Sequence, residues 1–164
     1  MPHQNYFRAP ARGFTLVELM LTVAIIGMLS GLVIIAIKPS KQLGAARNTE
    51  RQVEVAGILN AVAEYTNDNG GVLPAAIPAW GANVSCLTAS AAAYGICRSN
   101  ANCSSGVNLT VLTAGGVYLL ALPVDPLQAD SNPLTGYQIG KDANSRVTVC
   151  APQAEGGASI QVTF

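Results

Sequence analysis

The stretch that decides the fold of this chain reads Gly13-Phe14-Thr15-Leu16-Val17-Glu18-Leu19-Met20. It opens an apolar run that extends from Phe14 to Ile37 and contains one ionisable residue, Glu18. As a helix this run would be about 36 Å long at 1.5 Å per residue, and the hydrocarbon core of a bilayer is about 30 Å thick. We therefore predict a membrane-spanning helix over the run.

Glu18 does not suit a helix that serves only as an anchor. An acidic side chain deep inside a membrane helix costs roughly 2.5–3.5 kcal/mol on the insertion scale, and a leucine would avoid that cost. The residue also lies far from Lys38, where the polar margin of the run begins. We therefore expect the Glu18 carboxylate to have a function.

The residues before the run have the composition of a targeting leader. Residues 1–13 carry Arg8 and Arg12 and no acidic residue, which is typical of the basic region of such a signal. Within the run, small residues permit close approach between membrane helices. These are Gly27, Ser30 and Gly31.

The leader, the Gly13–Glu18 stretch and the apolar helix together resemble the prepilin signature of bacterial type IV pilins and type II secretion pseudopilins. The resemblance implies that an inner-membrane prepilin peptidase cuts between Gly13 and Phe14 and then methylates the new amino group of Phe14. It also implies that Glu18 pairs with the terminal amine of a neighbouring subunit during assembly.

The same resemblance implies the partners and the location of the chain. The precursor would lie in membrane lipid of the bacterial inner membrane, and an assembly platform there would add it to a helical filament of identical subunits. The filament would be extracellular for a pilin and periplasmic for a pseudopilin. A peptide segment that must enter a protease cleft in extended form is well served by Gly13, which has no side chain.

The helical period continues beyond the membrane. Pro39 could kink the helix or begin a second helical segment. An apolar stripe then follows, flanked by polar residues that include Arg51, and Asp68-Asn69-Gly70-Gly71 ends the helix near Asn67. The stripe consists of Val55, Ile58, Leu59, Val62 and Tyr65.

The rest of the chain predicts an antiparallel sheet laid on that stripe. Three or four strands are expected, with a turn at Asp142-Ala143-Asn144-Ser145 and a short helical turn at Leu109–Leu112 capped by Asn108. The expected strands are Val117–Leu122, Tyr137–Lys141, Arg146–Ala151 and Ser159–Thr163. The predicted class is therefore α+β, with a leader at 1–13, an assembly half of the helix at 14–38, its outer half at 39–69, and a globular domain at 70–164.

Four cysteines follow the membrane segment, and they favour disulfides rather than zinc. They contain no Cys-x-x-Cys pair, and the only histidine is His3, so ligand spacing for zinc is lacking. Four cysteines allow three pairings. We favour Cys97–Cys103, which closes a short turn-like loop, together with Cys86–Cys150. Disulfides place this part of the chain in an oxidising compartment, outside the membrane.

Other functional signals are weak. The segment Pro123-Val124-Asp125-Pro126 resembles one that binds calcium in some pseudopilins, and Asp125, Asp130 and Asn132 offer oxygen ligands, but their spacing favours a structural turn. No enzyme motif and no cofactor motif is present. Net charge is zero, and the basic and aromatic residues Tyr137, Lys141 and Arg146 give only weak support to nucleic-acid binding.

The leading hypothesis is therefore a structural subunit of a type IV pilus rather than an enzyme. The alternatives are a type II secretion pseudopilin and a minor, ligand-binding pilin for DNA uptake or adhesion.

Overall fold

The structure is a computed structural model that describes residues 13–81, 84–89, 91–99, 103 and 105–164. The chain divides into two compact units, the first ending at Ser40 and the second running from Lys41 to Phe164. Each unit is described by itself below.

The first unit is built on helix α1, Leu16–Ile37. No residue of α1 is buried, although nearly all of its side chains are apolar. A helix that is apolar all round and buries nothing in its own chain needs an apolar surrounding, either lipid or other helices. By length and composition α1 is able to cross a membrane.

Helix α1 ends at Lys38, which adopts a left-handed conformation with φ 49° and ψ 69°. Helix α2 begins at the next residue and spans Pro39–Asp68. Proline suits the first position of a helix, because its fixed φ is helical and its missing N–H would have no partner there. Of the two alternatives for Pro39, the structure therefore shows the start of a second helical segment.

Helix α2 buries the predicted apolar stripe and stops where the sequence indicates. Val55, Ile58 and Val62 are fully buried, and Leu59 is nearly so. Beyond Asp68, Gly70 and Gly71 take positive φ values of 65° and 88°. The Gly71 amide donates to the Thr66 carbonyl at 2.8 Å, which satisfies one of the free carbonyls of the last turn.

A four-stranded antiparallel sheet faces this stripe, and the described strands follow one another in the order β1-β2-β3-β4. The strands are β1 Gly95–Cys97, β2 Leu134–Lys141, β3 Val147–Cys150 and β4 Gln161–Thr163. Along the chain, the short helix α3 (Ala91–Tyr94) comes directly before β1. The short helix α4 (Thr110–Thr113) and a 3-10 turn (Ala114–Gly116) lie between β1 and β2. The α+β prediction is confirmed.

The core of the second unit lies between α2 and the inner face of the sheet. Its sheet members are Tyr137 and Ile139 from β2 and Val147 and Val149 from β3, all fully buried. Alternate residues of a strand point to opposite faces, which explains why every second residue contributes to this core. The alternate valines of β3, Val147 and Val149, therefore form the face of this strand that packs on α2.

The strand predicted at Val117–Leu122 is wrong. Gly115 and Gly116, both at φ 67°, turn the backbone just before this segment, and the Leu119 amide donates to the Leu112 carbonyl at 3.0 Å, closing a loop instead of joining the sheet. Leu120 is left almost fully exposed. The fourth strand is instead β1, which is too short for any alternation to show in the sequence.

The predicted helical turn near Asn108 is shifted by one residue. Helix α4 begins at Thr110, and the Asn108 side chain accepts a hydrogen bond from the Thr110 amide at 2.9 Å. The formal N-cap residue is Leu109, so Asn108 caps the turn from one residue earlier.

Two disulfides tie the irregular segment before and after β1 to the rest of the unit. Cys86 pairs with Cys150 of β3, and Cys97 of β1 pairs with Cys103. The Cα–Cα distances are 6.0 Å and 5.9 Å, within the ordinary range for a bridge. The first of these holds a long loop against the face of the sheet that points away from α2.

Arg51 is the main polar tie between α2 and the rest of the unit. The sequence places it among the polar residues that flank the apolar stripe, and the structure buries its side chain fully. Its Nε and Nη2 donate to the two carboxylate oxygens of Asp125, at 2.7 Å and 3.0 Å, and Asp125 is equally buried. Two parallel charge-assisted bonds fix both partners in one geometry.

The remaining Arg51 donors reach a second carboxylate. Nη1 donates to Asn48 at 2.9 Å and to Glu155 at 3.2 Å, and Glu155 also accepts two bonds of 2.6 Å from Arg47. Asn48 bonds the backbone of Glu155 in both directions, at 2.9 Å and 3.0 Å. Three side chains from successive turns of α2 thus hold the loop that follows β3.

Removal of Asp125 is expected to destabilise the second unit strongly. In Asp125→Ala the buried guanidinium loses its main partner, and breaking one side of a buried pair typically costs about 3–5 kcal/mol. Urea unfolding followed by fluorescence of Trp80, the only tryptophan of the chain, measures this loss in the full chain in detergent. Asp130→Ala is the control: its carboxylate is fully exposed and 3.8 Å from Arg98, so less than about 1 kcal/mol should be lost. Equal losses in the two variants would contradict the assigned role of Asp125.

The Glu155 contacts predict acid sensitivity. Hydrogen bonds from Arg47, and then from Arg51, lower the pKa of Glu155 from 4.5 to about 2. A carboxylate with a lowered pKa adds stability above its unfolded pKa, and this stability is lost as the pH falls toward the folded value, here between about pH 5 and pH 2. The Glu155→Gln variant should therefore lose less stability than the natural chain over that range.

The pKa of Glu54 is shifted in the opposite direction from that of Glu155. Burial raises it, even though Tyr137 donates a hydrogen bond to the Glu54 carboxylate. Glu54 is present in the natural chain and in Glu155→Gln alike, so its effect on stability is the same in both. The difference between their urea midpoints at each pH therefore measures the contribution of Glu155. Parallel pH profiles for the two proteins would show that the ion cluster does not stabilise the fold.

Candidate processing and assembly site

The segment Gly13–Thr15 precedes α1 and is exposed, with neither helical nor strand structure. No atom of the described residues lies within 4 Å of the place where a Cβ on Gly13 would stand, and the Phe14 side chain is 83% exposed. The peptide bond between these two residues is therefore accessible in the part of the chain that the structure describes.

Thr15 caps the helix that follows. Its backbone is extended, with φ −78° and ψ 150°, and its hydroxyl accepts a hydrogen bond from the Glu18 amide at 3.2 Å. A threonine in this position satisfies one of the free N–H groups of the first turn. The cap fixes the start of α1 two residues after Phe14 and places Glu18 in its first turn.

Glu18 differs from the other polar side chains of α1. The hydroxyls of Thr22 and Ser30 donate to carbonyls of their own helix, at 2.9 Å and 2.7 Å. The Glu18 carboxylate accepts no hydrogen bond from any residue that the structure describes, and its position near the positive end of the helix dipole is the only local stabilisation that the described residues offer it.

The predicted leader falls mostly outside the described residues. Residues 1–12, including Arg8 and Arg12, are not described, and Gly13 is its only described member. The leader stays a prediction from the sequence.

The weak calcium candidates are not brought together as ligands. Both Asp125 oxygens bond to Arg51, and one of them also accepts the Leu127 amide at 2.9 Å. Asn132 accepts the Leu134 amide at 2.9 Å, while the Asp130 carboxylate is fully exposed, 3.8 Å from Arg98. Asp125 is thus a structural partner of Arg51 at a turn.

The residues that gave weak support to nucleic-acid binding do not form a basic, aromatic surface. Tyr137 is fully buried, with its hydroxyl bonded to Glu54. Arg146 is held by Asp142 at 2.7 Å. Of the three, Tyr137 cannot stack on a base, because its ring is part of the core.

Comparison with protein families finds one match, to the family model described as the prokaryotic N-terminal methylation motif, over residues 8–37. The match covers Gly13, Phe14, Glu18 and the whole of α1. The chain carries the type IV pilin and pseudopilin signature. Proteins with this pilin-type motif are structural rather than enzymatic. Searches of curated proteins and of solved structures find no match to the chain.

The match and the composition of α1 together describe a membrane-anchored, pilin-like precursor. The family model ends at Ile37, so it says nothing of the second unit, whose disulfide-linked sheet is known from the structure alone. Sequence reasoning missed the burial of Arg51. The sequence did contain a signal for this burial: Arg51 lies four residues before Val55, on the same face of α2 as the apolar stripe.

Proposed function

We propose that this chain is the structural subunit of a type IV pilus, cut between Gly13 and Phe14, N-methylated at Phe14 and polymerised through α1. The observation that carries the proposal is the Glu18 carboxylate, the only charged group of α1, in the first turn of a predominantly apolar helix that buries none of its residues. The methylation motif over the same residues supports it.

The charge of Glu18 gives a physical reason for assembly in one register. Cleavage after Gly13 creates a cationic amine on Phe14, one helical turn before Glu18. When subunits are staggered along a filament, the amine of one chain can neutralise the carboxylate of the next, and the attraction is strong in an apolar core. A wrong register leaves both charges unpaired among apolar side chains, which is costly.

The surface of α1 suits packing against copies of itself. Gly27 and Gly31 lie four residues apart, on the same side of the helix, and no described atom lies within 4 Å of a Cβ built on either. Small residues in this spacing allow two helix backbones to approach closely. In the proposed life cycle the inner-membrane peptidase and assembly platform act on the precursor, and the filament extends outside the cell.

The alternative is a type II secretion pseudopilin with a periplasmic filament. The structure of the second unit favours the pilus instead. Asp125 is the central residue of the segment that resembles a calcium-binding one, and its carboxylate forms a buried ion pair with Arg51. The two disulfides fit both alternatives, because the periplasm is an oxidising compartment as well.

Loss of the Glu18 carboxylate should prevent assembly and leave the precursor in the membrane. In Glu18→Ala the Phe14 amine has no partner, so we expect at least about a tenfold loss of filaments, since 1.4 kcal/mol corresponds to a factor of ten. Electron microscopy of surface filaments, with immunoblots of membrane fractions, measures both quantities.

The matched control is Thr22→Ala, which removes a polar group of the same helix that bonds only its own backbone. This variant should assemble normally. Abundant filaments formed by Glu18→Ala would overturn the assembly role of the carboxylate, and surface filaments absent from the natural chain would favour the pseudopilin.

Substitution of Gly13 should block processing. A side chain at this position, as in Gly13→Leu, would enter the protease cleft that glycine leaves free. Intact-mass spectrometry of the membrane-extracted chain should find the natural protein without residues 1–13 and with one added methyl group, and the variant at full length. Thr15→Ser, which keeps the helix cap, should be processed normally; a natural chain that keeps its leader would contradict the proposal.

A further inference from the structure

A cavity of about 190 Å³ lies on the side of the sheet that points away from α2. Tyr137 and Ile139 of β2 face the core, so Gln138 between them and Gly136 just before Tyr137 lie on the opposite side. We call the cavity the glutamine slot, after the three glutamine side chains that line it. These are Gln128, Gln138 and Gln153.

Gln138 contributes a buried acceptor without a donor. Its side-chain amide nitrogen donates to the Ala89 carbonyl at 3.2 Å, and because a carbonyl can only accept, this contact decides which way the amide points. The opposite atom, Oε1, is buried and receives no hydrogen bond from any residue that the structure describes. The residue as a whole is 5% exposed. Such unpaired buried acceptors are uncommon in folded proteins and call for a partner.

The opposite wall offers donors. Gln153 donates one amide hydrogen to Gln128 Oε1 at 2.6 Å, which leaves its second hydrogen for another acceptor. Asn132, which also lines the slot, accepts the Leu134 amide through its oxygen at 2.9 Å and keeps its NH₂ group for other contacts. Among the residues that the structure describes, no charged side chain lines the slot. The slot therefore presents neutral donors and one buried acceptor.

The slot is held in shape by the elements around it. The Cys86–Cys150 disulfide fixes the loop that carries Ala89, and Cys86 contacts the Gln138 carbonyl at 3.7 Å. On the floor, Gly136 has φ 91°, and a Cβ there would stand 2.7 Å from the Asp125 Cβ, so only glycine fits. Because Asp125 is fixed in turn by Arg51, the floor is rigid, and a ligand would bind without ordering the site.

From these contacts we propose that the glutamine slot binds a small neutral saccharide, as a free sugar or as the terminal residue of a glycan. A hydroxyl group both donates and accepts, so neighbouring hydroxyls can satisfy Gln138 Oε1 and the amide donors together. The volume corresponds to about six water molecules at ~30 Å³ each, which is the size of a ring rather than of a chain. Leu134 and Pro152 supply apolar surface for the carbon face of the ring. This site would function whether or not the chain polymerises.

Titration of the unassembled full chain with sugars tests the proposal. We would use a detergent without a sugar headgroup, ¹⁵N-label the glutamine amides, and add the methyl glycosides of glucose, galactose, mannose and N-acetylglucosamine in turn. At least one glycoside is expected to shift the Gln138 and Gln153 amide signals in a saturable manner. Slot amides that no glycoside shifts would mean that the slot holds water only, and this would overturn the proposal.

Variants then locate the binding. Gln138→Met keeps the length of the side chain but removes the acceptor, and should weaken binding roughly tenfold. Gln161→Met, on the exposed strand β4, is the control and should bind as the natural chain does. Should Gln138→Met fail to fold, as judged by Trp80 fluorescence, Gln153→Ala on the opposite wall tests the same slot and should weaken binding severalfold. Unchanged affinity in a folded slot variant would place the sugar elsewhere and contradict the proposal.

Discussion

A single carboxylate, Glu18, lies in a helix whose other side chains carry no charge. Within the described residues the helix satisfies each of its hydroxyl groups internally, yet it provides no hydrogen bond for this carboxylate. In lipid such a group is costly, and in a bundle of identical helices it can be neutralised by a cation from a neighbour. In the proposed assembly, the feature that makes α1 a poor anchor would make it a specific contact between subunits, because a stagger that brings the two charges together would be favoured.

The second unit complements this element by folding without it. No residue of α1 is buried, and the core of the second unit is formed by α2 and the sheet. Its stability depends on Arg51, which joins α2 to Asp125 before β2 and to Glu155 after β3. A unit with its own core and its own disulfides is consistent with the proposal that the apolar helix first inserts in the membrane and later contacts other subunits. The same Arg51–Asp125 pair supports the floor of the glutamine slot, so packing and the proposed binding site share one interaction.

Much of this could be predicted from the sequence where the signal is local. The apolar run, the stripe from Val55 to Val62 and the alternation at Val147 and Val149 follow from periodicity, and the Gly70–Gly71 stop follows from backbone freedom. The sequence-based predictions failed at residues whose structure depends on partners that are far away in the sequence. Arg51 is buried because Asp125, far away in sequence, neutralises it, and β1 exists because β2 pairs with it. Val117–Leu122 has the composition of a strand, but the two glycines before it turn the chain away. The glutamine slot has no sequence signature, since loops that are distant in sequence form its walls.

The most direct test of the central claim is the contact between Glu18 and the amino terminus of a neighbouring chain. Filaments grown from a mixture of two preparations, one with ¹³C-labelled glutamate and one with ¹⁵N-labelled phenylalanine, allow solid-state NMR to detect only contacts between chains. We expect a cross-peak between the Glu18 carboxylate carbon and the Phe14 amine nitrogen, with the carboxylate ionised. A protonated Glu18 without that cross-peak, in well-ordered filaments, would contradict the account.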